Sequence, residues 1–298
     1  MATYPFVQVD AFTKTPFSGN PCAVVFDGDR LSDEQRQHIA FEMNLAETAF
    51  IVTPTQGDVG ARYFTPAEEI PLAGHPTIAV IHALFATGRL RRPDGLHVIS
   101  LELRDGPIRI EVRVEQGAAT EIVMSQRKPE FLRTYGAAEV APIFGLAPED
   151  LRQDAPIQTV STGTPQLFVP VKSIQALRTA VVDVAAYREL RVQGDFFSPH
   201  LFVTEGVTSD GSTFARHFGV PPDIAEDPFT GSATGGMAAY CYRYGLIAVT
   251  RFTAQQGHWL GRPGSASVEV VGTKMDIETV KVGGNAVLVL RGEILLPG

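Results

Sequence analysis

The chain has 298 residues, of which 44% are hydrophobic and 19% charged, and its formal net charge is −8. This composition allows a large packed core and excludes a disordered protein. The acidic balance argues against a nucleic-acid partner, and no apolar run reaches the ~20 residues that a membrane-spanning helix needs.

The first half of the chain has mainly the pattern of strands. Ser32 and Gln35 form a capping-box sequence, which predicts a helix that begins after Ser32. The charged, proline-containing segment 124–131 breaks the strand pattern and is predicted to lead from one lobe to the next. Strands are predicted at residues 6–12, 22–26, 97–103, 108–114 and 121–125.

The second half also has mainly the pattern of strands. Short helices are predicted from Ser173 and from Asp183. Strands are predicted at residues 166–171, 200–204, 267–272, 278–284 and 286–296. Because strands outnumber helices and most of them alternate apolar and polar residues, the pattern indicates two curved, mostly antiparallel, β-rich lobes.

Four segments of the first half have counterparts in the second half, in the same order. They are "FSGNPCAVVF" with "STGTPQLFVPV", "ETAFIVT" with "SPHLFVT", "ARYF" with "ARHF", and "AGHPTIAVIHALFATG" with "TGSATGGMAAYCYRYG". Each match is weak alone, and β/α proteins often follow such an order without duplication. Four matches in one order nevertheless favour a duplicated architecture.

The last matched pair predicts two unusual helices. Both segments are apolar nearly all round, which is typical of buried helices. Pro76 fits a first helical turn, and Gly88 and Gly245 fit the position after a helix C-terminus. The predicted fold class is therefore α+β, with two pseudo-symmetric lobes, each a barrel-like sheet around a buried central helix.

The N-termini of these helices are the candidate binding site. They lie near Gly74 and Gly231, where unpaired N–H groups and about half a positive charge favour an anion. Two such termini facing each other would bind a small carboxylate without Lys or Arg. The structural alternative is ordinary capping at a helix start.

Titratable residues accompany both N-termini. His75 and Ser232 follow the two glycines, Asp227 precedes Ser232 by five residues, and Glu47 lies between apolar segments. A partly desolvated carboxylate favours its protonated form and suits acid–base chemistry. The alternative for Glu47 is an exposed charge at a strand edge.

Several other residues receive structural interpretations. Arg62 and Arg216 fall at matched places before the two helices and are predicted to fix the preceding loops, with a substrate contact as the alternative. Glu68 and Glu69 are interpreted as loop charges. Cys22 and Cys241 are predicted to be free, buried and unreactive.

No sequence motif indicates a cofactor or metal. The chain contains no C-x-x-C or H-E-x-x-H, its seven histidines do not cluster at ligand spacing, and two cysteines do not make a disulfide framework. The N-terminus lacks the pattern of a signal peptide. We therefore predict a cytoplasmic protein that needs no cofactor and binds neither nucleic acid nor membrane.

The segments "VDAFTKTPFSGNPCAVV", "AETAF", "RYFTPAEEIPLAGHPTIA" and "EDPFTGSATG" together resemble the phenazine-biosynthesis (PhzF-like) isomerase family. The resemblance continues through "QGHWLGRPGSASVEV" and "VGGNAVLVLRGEI", so it covers nearly the whole chain. It implies the fold of diaminopimelate epimerase and proline racemase, with an active site in the cleft between two lobes. The expected lobes are 1–126 and 127–285, and in this fold the last strand, 286–298, often returns to the first lobe.

The resemblance also implies roles for individual residues. Glu47 corresponds to the proton-shuttling carboxylate, and His75 and Asp227 correspond to the other acid–base and hydrogen-bonding groups. The serine at the substrate corresponds to Ser232. The backbone N–H groups around Gly74 and Gly231 are expected to bind substrate oxygens. The related epimerases place a catalytic cysteine before each helix, where this chain has Ala73 and Thr230, so a two-thiol mechanism is disfavoured.

The expected function is a cofactor-independent isomerase that shifts a proton within a small carboxylate-bearing metabolite. In the phenazine pathway the family's substrate is a dihydro-3-hydroxyanthranilate, and the family is usually dimeric, so a homodimer is expected. Two alternatives share the fold. One is an amino-acid-type epimerase or racemase with two bases, and the other is a non-catalytic protein that binds small carboxylates.

Overall fold

A computed structural model describes residues 2–296. The chain divides into two compact units: unit 1 is Met1–Ser125, Pro222–Ile224 and Gly283–Gly298, and unit 2 is Gln126–Pro221 and Ala225–Val282. The lobes 1–126 and 127–285 remain our proposal for the two domains. The assignment of Pro222–Ile224 to unit 1 is a feature that the sequence does not indicate.

The secondary structure consists mainly of strands, in agreement with the sequence pattern. The strands are β1 (Ala2–Ala11), β2 (Asn20–Val25), β3 (Glu47–Val52), β4 (Val59–Phe64), β5 (Glu69–Ile70), β6 (Gly95–Leu103), β7 (Gly106–Glu115), β8 (Ala118–Ser125), β9 (Glu130–Tyr135), β10 (Ile157–Ser161), β11 (Pro165–Pro170), β12 (Ser198–Val203), β13 (Thr213–Phe218), β14 (Glu226–Asp227), β15 (Arg251–Gln256), β16 (Gly264–Gly272), β17 (Ile277–Gly284) and β18 (Ala286–Leu296). The α-helices are α1 (Asp33–Met43), α2 (Gly74–Ala86), α3 (Ala137–Val140), α4 (Ile174–Thr179), α5 (Val184–Gln193) and α6 (Gly231–Arg243). Short 3-10 helices cover Gly28–Arg30, Ala141–Phe144, Pro148–Asp150 and His258–Leu260.

Unit 1 is a curved mixed sheet around helix α2. Strand β1 is antiparallel to both β18 and β2, β2 is parallel to β3, and β3 is antiparallel to β4. Strand β4 is parallel to β6, which continues as the antiparallel meander β6–β7–β8. Helix α2 contacts β18, β1, β2 and β3 near one end of this order and β8 at the other. The sheet therefore curls around the helix as a barrel-like layer.

Unit 2 repeats the same alternation of strand directions around helix α6. Strand β10 is antiparallel to β9 and β11, β11 is parallel to β12, and β12 is antiparallel to β13. Strand β13 is then parallel to β15, which is antiparallel to β16. Helix α6 contacts β10, β11 and β16. The predicted duplication and fold class are confirmed, and the four matched sequence pairs fall on β2 and β11, β3 and β12, β4 and β13, and α2 and α6.

Both central helices are buried, as their composition predicts. Eleven of the thirteen residues of α2 are buried, and the same holds for α6. Gly88 and Gly245 follow the helix ends with φ of 70° and 72°, the left-handed conformation that glycine adopts without a steric penalty. The capping box predicted at Ser32 and Gln35 is present at the start of α1.

Helix α6 needs glycine where it packs against its sheet. A Cβ atom added to Gly236 would lie 2.6 Å from Cζ of Phe168 on β11, which is closer than real contacts allow. Glycine at this position lets the helix backbone approach the strand directly. The glycine-rich start of α6 therefore has a packing function in addition to any role in binding.

Candidate active site

The predicted site residues divide between the two units. Unit 1 contains Glu47, Gly74 and His75, and unit 2 contains Asp227, Gly231 and Ser232. Both groups lie at the N-terminus of the central helix of their unit, because Gly74 and Gly231 are the first residues of α2 and α6.

In unit 1 the structure brings Glu47 and His75 together. Glu47 is the first residue of β3 and His75 the second residue of α2. Glu47 Oε2 lies 3.1 Å from His75 Nε2, and the side chains are 17% and 2% exposed. Glu47 is therefore not an exposed charge at a strand edge, and its side chain is only partly buried.

His75 is held as a neutral imidazole of one tautomer. Burial lowers the pKa of His75 to about 3, so the ring carries a single proton near neutral pH. The side-chain amide of the buried Asn20 lies with Nδ2 2.9 Å from His75 Nδ1. Because Nδ2 can only donate, Nδ1 is the acceptor and the proton resides on Nε2, which points toward Glu47.

The contact between His75 and Glu47 is close but poorly aligned. Within residues 2–296, His75 Nε2 makes no hydrogen bond of good geometry despite its 3.1 Å distance to the carboxylate. Catalytic hydrogen bonds are often loose in a ligand-free enzyme and tighten when substrate binds. The Nε2–H group is thus a donor that no acceptor within residues 2–296 engages with good geometry.

The N-terminus of α2 has no side-chain cap. Its N-cap residue is Ala73, whose methyl group cannot accept a hydrogen bond, and Pro76 has no N–H group of its own. No capping side chain therefore occupies the N–H groups of Gly74 and His75 in the first turn. These groups lie at the positive end of the helix dipole. Such an end suits a carboxylate ligand.

In unit 2 the segment before α6 is fixed by polar side chains. The Thr230 hydroxyl donates to Asp227 Oδ2 instead of capping the helix. Gln256 holds both ends of the segment, because its Nε2 donates to the Asp227 carbonyl oxygen at 2.7 Å and its Oε1 accepts from the Thr230 N–H at 3.1 Å. Asp227 is 8% exposed. The segment thus presents one buried carboxylate at a preformed position.

The first turn of α6 is fixed from the other side. Gln126 donates from Nε2 to the Gly231 carbonyl oxygen at 2.8 Å, and its Oε1 accepts from the Thr162 hydroxyl at 2.6 Å. Ser232, the second residue of α6, is 8% exposed. The backbone around Gly231 is therefore rigid, which is what a preorganised anion site needs.

Matched ion pairs brace the segment before each helix. Arg62 on β4 forms two hydrogen bonds with Glu69 on β5, both of 2.7 Å. Arg216 on β13 does the same with Glu226 on β14, at 2.8 and 2.7 Å. The structural interpretation of both arginines is confirmed. The interpretation of Glu69 as a loop charge is wrong, because Glu69 begins the short strand β5, and only the pairing of β5 with β4 brings it to Arg62.

Strand register shows what unit 2 has at the position of Glu47. In unit 1, Glu47 pairs with Cys22 across β2 and β3, and in unit 2, Ser198 pairs with Gln166 across β11 and β12. Ser198 therefore occupies the place of Glu47. Its hydroxyl donates to Gln166 Oε1 at 2.7 Å and lies 2.7 Å from His217 Nε2.

That serine belongs to a buried network of neutral groups. His217 Nδ1 is 3.2 Å from His200 Nδ1. Burial lowers the pKa of His217 to about 3, and burial with the neighbouring His217 lowers the pKa of His200 well below its usual value. Unit 2 thus has hydrogen-bonded neutral side chains where unit 1 has a carboxylate.

The cysteines have the predicted environment. Cys22 and Cys241 are free and buried. Burial, and secondarily the charge of Glu47, raises the pKa of Cys22 well above its usual value, and burial likewise raises the pKa of Cys241. Both are held as unreactive thiols. Residues 2–296 also offer no group of three or more histidine, cysteine or acidic side chains that could hold a metal ion.

Sequence reasoning missed three amide side chains of the site. Asn20 orients His75, while Gln126 and Gln256 fix the start of α6. Asn20 lies in the glycine-asparagine-proline turn of the first repeat, which was the one available signal. The two glutamines carry no local signal, because their partners lie 105 and 29 residues away in the chain.

Known proteins resemble this chain over almost its full length. Residues 9–292 match the family of phenazine biosynthesis-like proteins, PhzC-PhzF. The chain is 34% identical to the uncharacterized isomerase YfhB of Bacillus subtilis over 266 residues, which cover 89% of each protein. It is 32% identical to the trans-2,3-dihydro-3-hydroxyanthranilate isomerase of Pseudomonas chlororaphis, over 98% of this chain and 99% of that protein.

The fold also resembles that of a solved structure. A phenazine biosynthesis protein of the PhzF family from Bacillus anthracis superimposes with a TM-score of 0.88 at 30% identity, over 99% of this chain and 100% of that chain. Among residues 2–296, every helix is too short or too polar to cross a bilayer.

Proposed function

This chain belongs to the phenazine biosynthesis-like (PhzC-PhzF) family and is an isomerase, and on that premise we propose that it moves a proton within a small carboxylate-bearing metabolite, without a cofactor. The observation that carries the proposal is the 3.1 Å contact between the Glu47 carboxylate and the neutral His75 imidazole. Glu47 is the base, and His75 is a hydrogen-bond donor.

The assignment of these roles follows from proton accounting. His75 cannot accept a proton readily, because burial lowers its pKa to about 3 and its Nδ1 is engaged by Asn20. A neutral N–H donor stabilises negative charge that develops on a substrate oxygen. Glu47, at 17% side-chain exposure, is the group able to take a proton from carbon.

The proposed step needs no oxidant, reductant or group donor. Glu47 removes a proton from a carbon next to a conjugated system, and the electron pair of the broken C–H bond enters that system. The double bond shifts, and the protonated Glu47 or a neighbouring acid returns the proton to another carbon. The product is an isomer of the substrate by a 1,3-shift. The N–H groups at Gly74 and Gly231 bind the substrate oxygens, and Asp227 and Ser232 orient it.

The proposed substrate class is a small, unsaturated, cyclic carboxylate. The Pseudomonas chlororaphis relative is named for its action on trans-2,3-dihydro-3-hydroxyanthranilate, and we propose a compound of this chemical type for the present chain. Uncapped helix N-termini at Ala73 and Thr230 are suited to the carboxylate. We further propose a cytoplasmic homodimer, as the family resemblance implies.

The test compares turnover and deuterium incorporation in D2O between the wild-type protein and a Glu47→Gln variant. Wild-type protein in D2O is expected to place deuterium at a new carbon of trans-2,3-dihydro-3-hydroxyanthranilate, or of a related unsaturated carboxylate, while its double bond moves. The amide of Glu47→Gln cannot accept the proton, so turnover should fall by about 10²- to 10⁴-fold. Glu68→Gln, which changes an exposed glutamate of the loop before α2, is the control and should keep wild-type turnover.

Two results would contradict the proposal. Full activity of Glu47→Gln would show that Glu47 is not the base. Inversion at one stereocentre without movement of a double bond would favour an epimerase with two bases. A second base at the matching position of unit 2 is disfavoured, because Ser198 occupies the position of Glu47. The Ser198 hydroxyl lies within the hydrogen-bonded network of Gln166 and His217.

A further inference from the structure

Phe17 combines an exposed ring with an unfavourable backbone. It lies in the loop between β1 and β2, has φ of 66°, and its side chain is 70% exposed. Left-handed backbone is a steric outlier for a bulky residue, and it persists only where the surroundings impose it. No burial of the ring offsets this cost.

The other non-glycine residues with positive φ within residues 2–296 have ordinary explanations. Asp27 and Asn44 are of the two types that tolerate this conformation, and Gln116 is in the turn between β7 and β8. Phe12, in the same loop as Phe17, is 1% exposed and so gains from burial. Of these five residues, only Phe17 has a bulky side chain that is both exposed and on a left-handed backbone.

A buried acidic side chain holds this conformation. Asp10 is fully buried, and its Oδ2 accepts a hydrogen bond of 2.7 Å from the Phe17 N–H. Gly19, with φ of 59°, brings the loop against β1 so closely that an added Cβ would lie 2.1 Å from the Ala11 carbonyl oxygen. The position of Phe17 is therefore imposed from both sides and is not that of a loose loop.

The same loop leads directly into the candidate site of unit 1. Asn20, three residues after Phe17, makes the 2.9 Å contact with His75. Three residues of chain span at most about 11 Å. Phe17 is consequently an exposed aromatic residue whose Cα lies no more than about 11 Å from the Cα of Asn20.

We infer that Phe17 is a specificity-determining residue that contacts the hydrocarbon ring of the substrate. This inference rests on the proposed function, because the polar groups of the site account for a carboxylate and a mobile proton but not for a ring. An aromatic side chain held by a rigid backbone recognises a flat unsaturated ring at little cost in conformational entropy. Phe17 therefore favours cyclic over short aliphatic carboxylates.

The experiment measures binding and stability of Phe17→Gly with two probes, anthranilate and acetate. Both carry a carboxylate, and only anthranilate carries a ring. We expect the dissociation constant of anthranilate to rise about tenfold, which corresponds to ~1.4 kcal/mol, and that of acetate to stay unchanged. The urea midpoint should rise or hold, because glycine relieves the left-handed backbone. Phe17→Tyr should bind anthranilate like the wild type.

Two control variants separate the contributions of backbone and ring. Gln116→Gly makes the same backbone change at φ of 53° in a turn between strands, and should alter stability without altering anthranilate binding. Phe41→Ala removes another ring, 61% exposed on α1, and should leave binding of both probes unchanged.

The possible failures are distinguishable. Equal anthranilate binding by wild type and Phe17→Gly would overturn the inference alone. A lowered urea midpoint with weaker binding of both probes would show that Phe17 is structural and would also overturn it. A change in molar mass by light scattering without loss of anthranilate binding would place Phe17 at a protein interface instead. Wild-type protein that binds neither probe would contradict both this inference and the proposed carboxylate substrate.

Discussion

Among single residues, Asn20 sets the tautomer of His75, a role that the sequence did not indicate. Its amide is buried and donates to His75 Nδ1, which fixes the imidazole proton on Nε2. The direction in which His75 donates its proton is therefore decided by a residue that never needs to touch the substrate.

Asn20→Asp should impair turnover more than Asn20→Ala. An aspartate would accept a hydrogen bond from Nδ1–H and so favour the tautomer without a proton on Nε2, in which His75 is no longer a donor toward the substrate. Alanine removes the preference for the proton on Nε2 but does not favour the proton on Nδ1. We expect a loss of kcat of about tenfold for alanine, equivalent to ~1.4 kcal/mol, and a clearly larger loss for aspartate. KM should change little in both, and equal kcat values would contradict the tautomer argument.

Among the secondary-structure elements, the central helices explain why the site is preorganised. Each is enclosed by its own sheet, and each begins beside an Arg–Glu pair that braces the preceding segment. Neither N-cap residue uses its side chain on the helix. The N-termini are thus rigid and keep their N–H groups for a ligand, a combination that a surface helix with an ordinary cap does not offer.

Gly236→Ala should destabilise the protein through the packing of α6. The new methyl group would collide with the ring of Phe168, and overpacking of this kind costs about 1–3 kcal/mol. Gly136→Ala is the matched control, because nothing lies within 4 Å of its Cβ position and its φ is −80°. Urea unfolding followed by circular dichroism measures both. A Gly236→Ala protein as stable as Gly136→Ala would contradict the packing argument.

At the scale of the whole molecule, buried histidines make stability depend on pH. His75, His200 and His217 remain neutral in the fold, because burial lowers the pKa of His75 and His217 to about 3 and that of His200 well below its usual value. The unfolded chain binds protons to these rings below pH ~6.5, whereas the folded chain does not. The free energy of unfolding must therefore decrease as the pH falls from about 6.5 toward about 3.

The expected slope is about 1.4 kcal/mol per pH unit for each of these histidines, well below pH 6.5. His217→Gln should be less stable at pH 7, since it perturbs the network with Ser198, but its stability should fall less steeply with acid. His38→Gln, on the exposed side of α1, serves as the control. Urea midpoints between pH 7 and pH 4.5 test this. A His217→Gln curve parallel to that of the wild type would show that the ring binds protons equally in the folded and the unfolded chain, and would contradict the argument.

The sequence by itself determined the strand-rich character, the two central helices, the duplication and the choice of Glu47, His75, Asp227 and Ser232 as candidates. Strand alternation, the capping box at Ser32 and the all-apolar helices are local patterns, so they could be recognised without tertiary contacts. The roles of those candidates remain proposals. The family resemblance supplied their assignment. For Glu47 and His75, the 3.1 Å contact and the neutral imidazole give a physical reason for the proposed roles.

Only the tertiary structure decided which groups orient the candidates. Asn20 reaches His75 across 55 residues of chain, Glu69 becomes the partner of Arg62 through the pairing of β4 with β5, and strand register places Ser198 at the position of Glu47. The left-handed backbone of Phe17 is likewise held by the Asp10 side chain, which is buried at the end of β1. The physical reason is common to all four: strand register and close packing set these distances, and neither is encoded in a local pattern of residues.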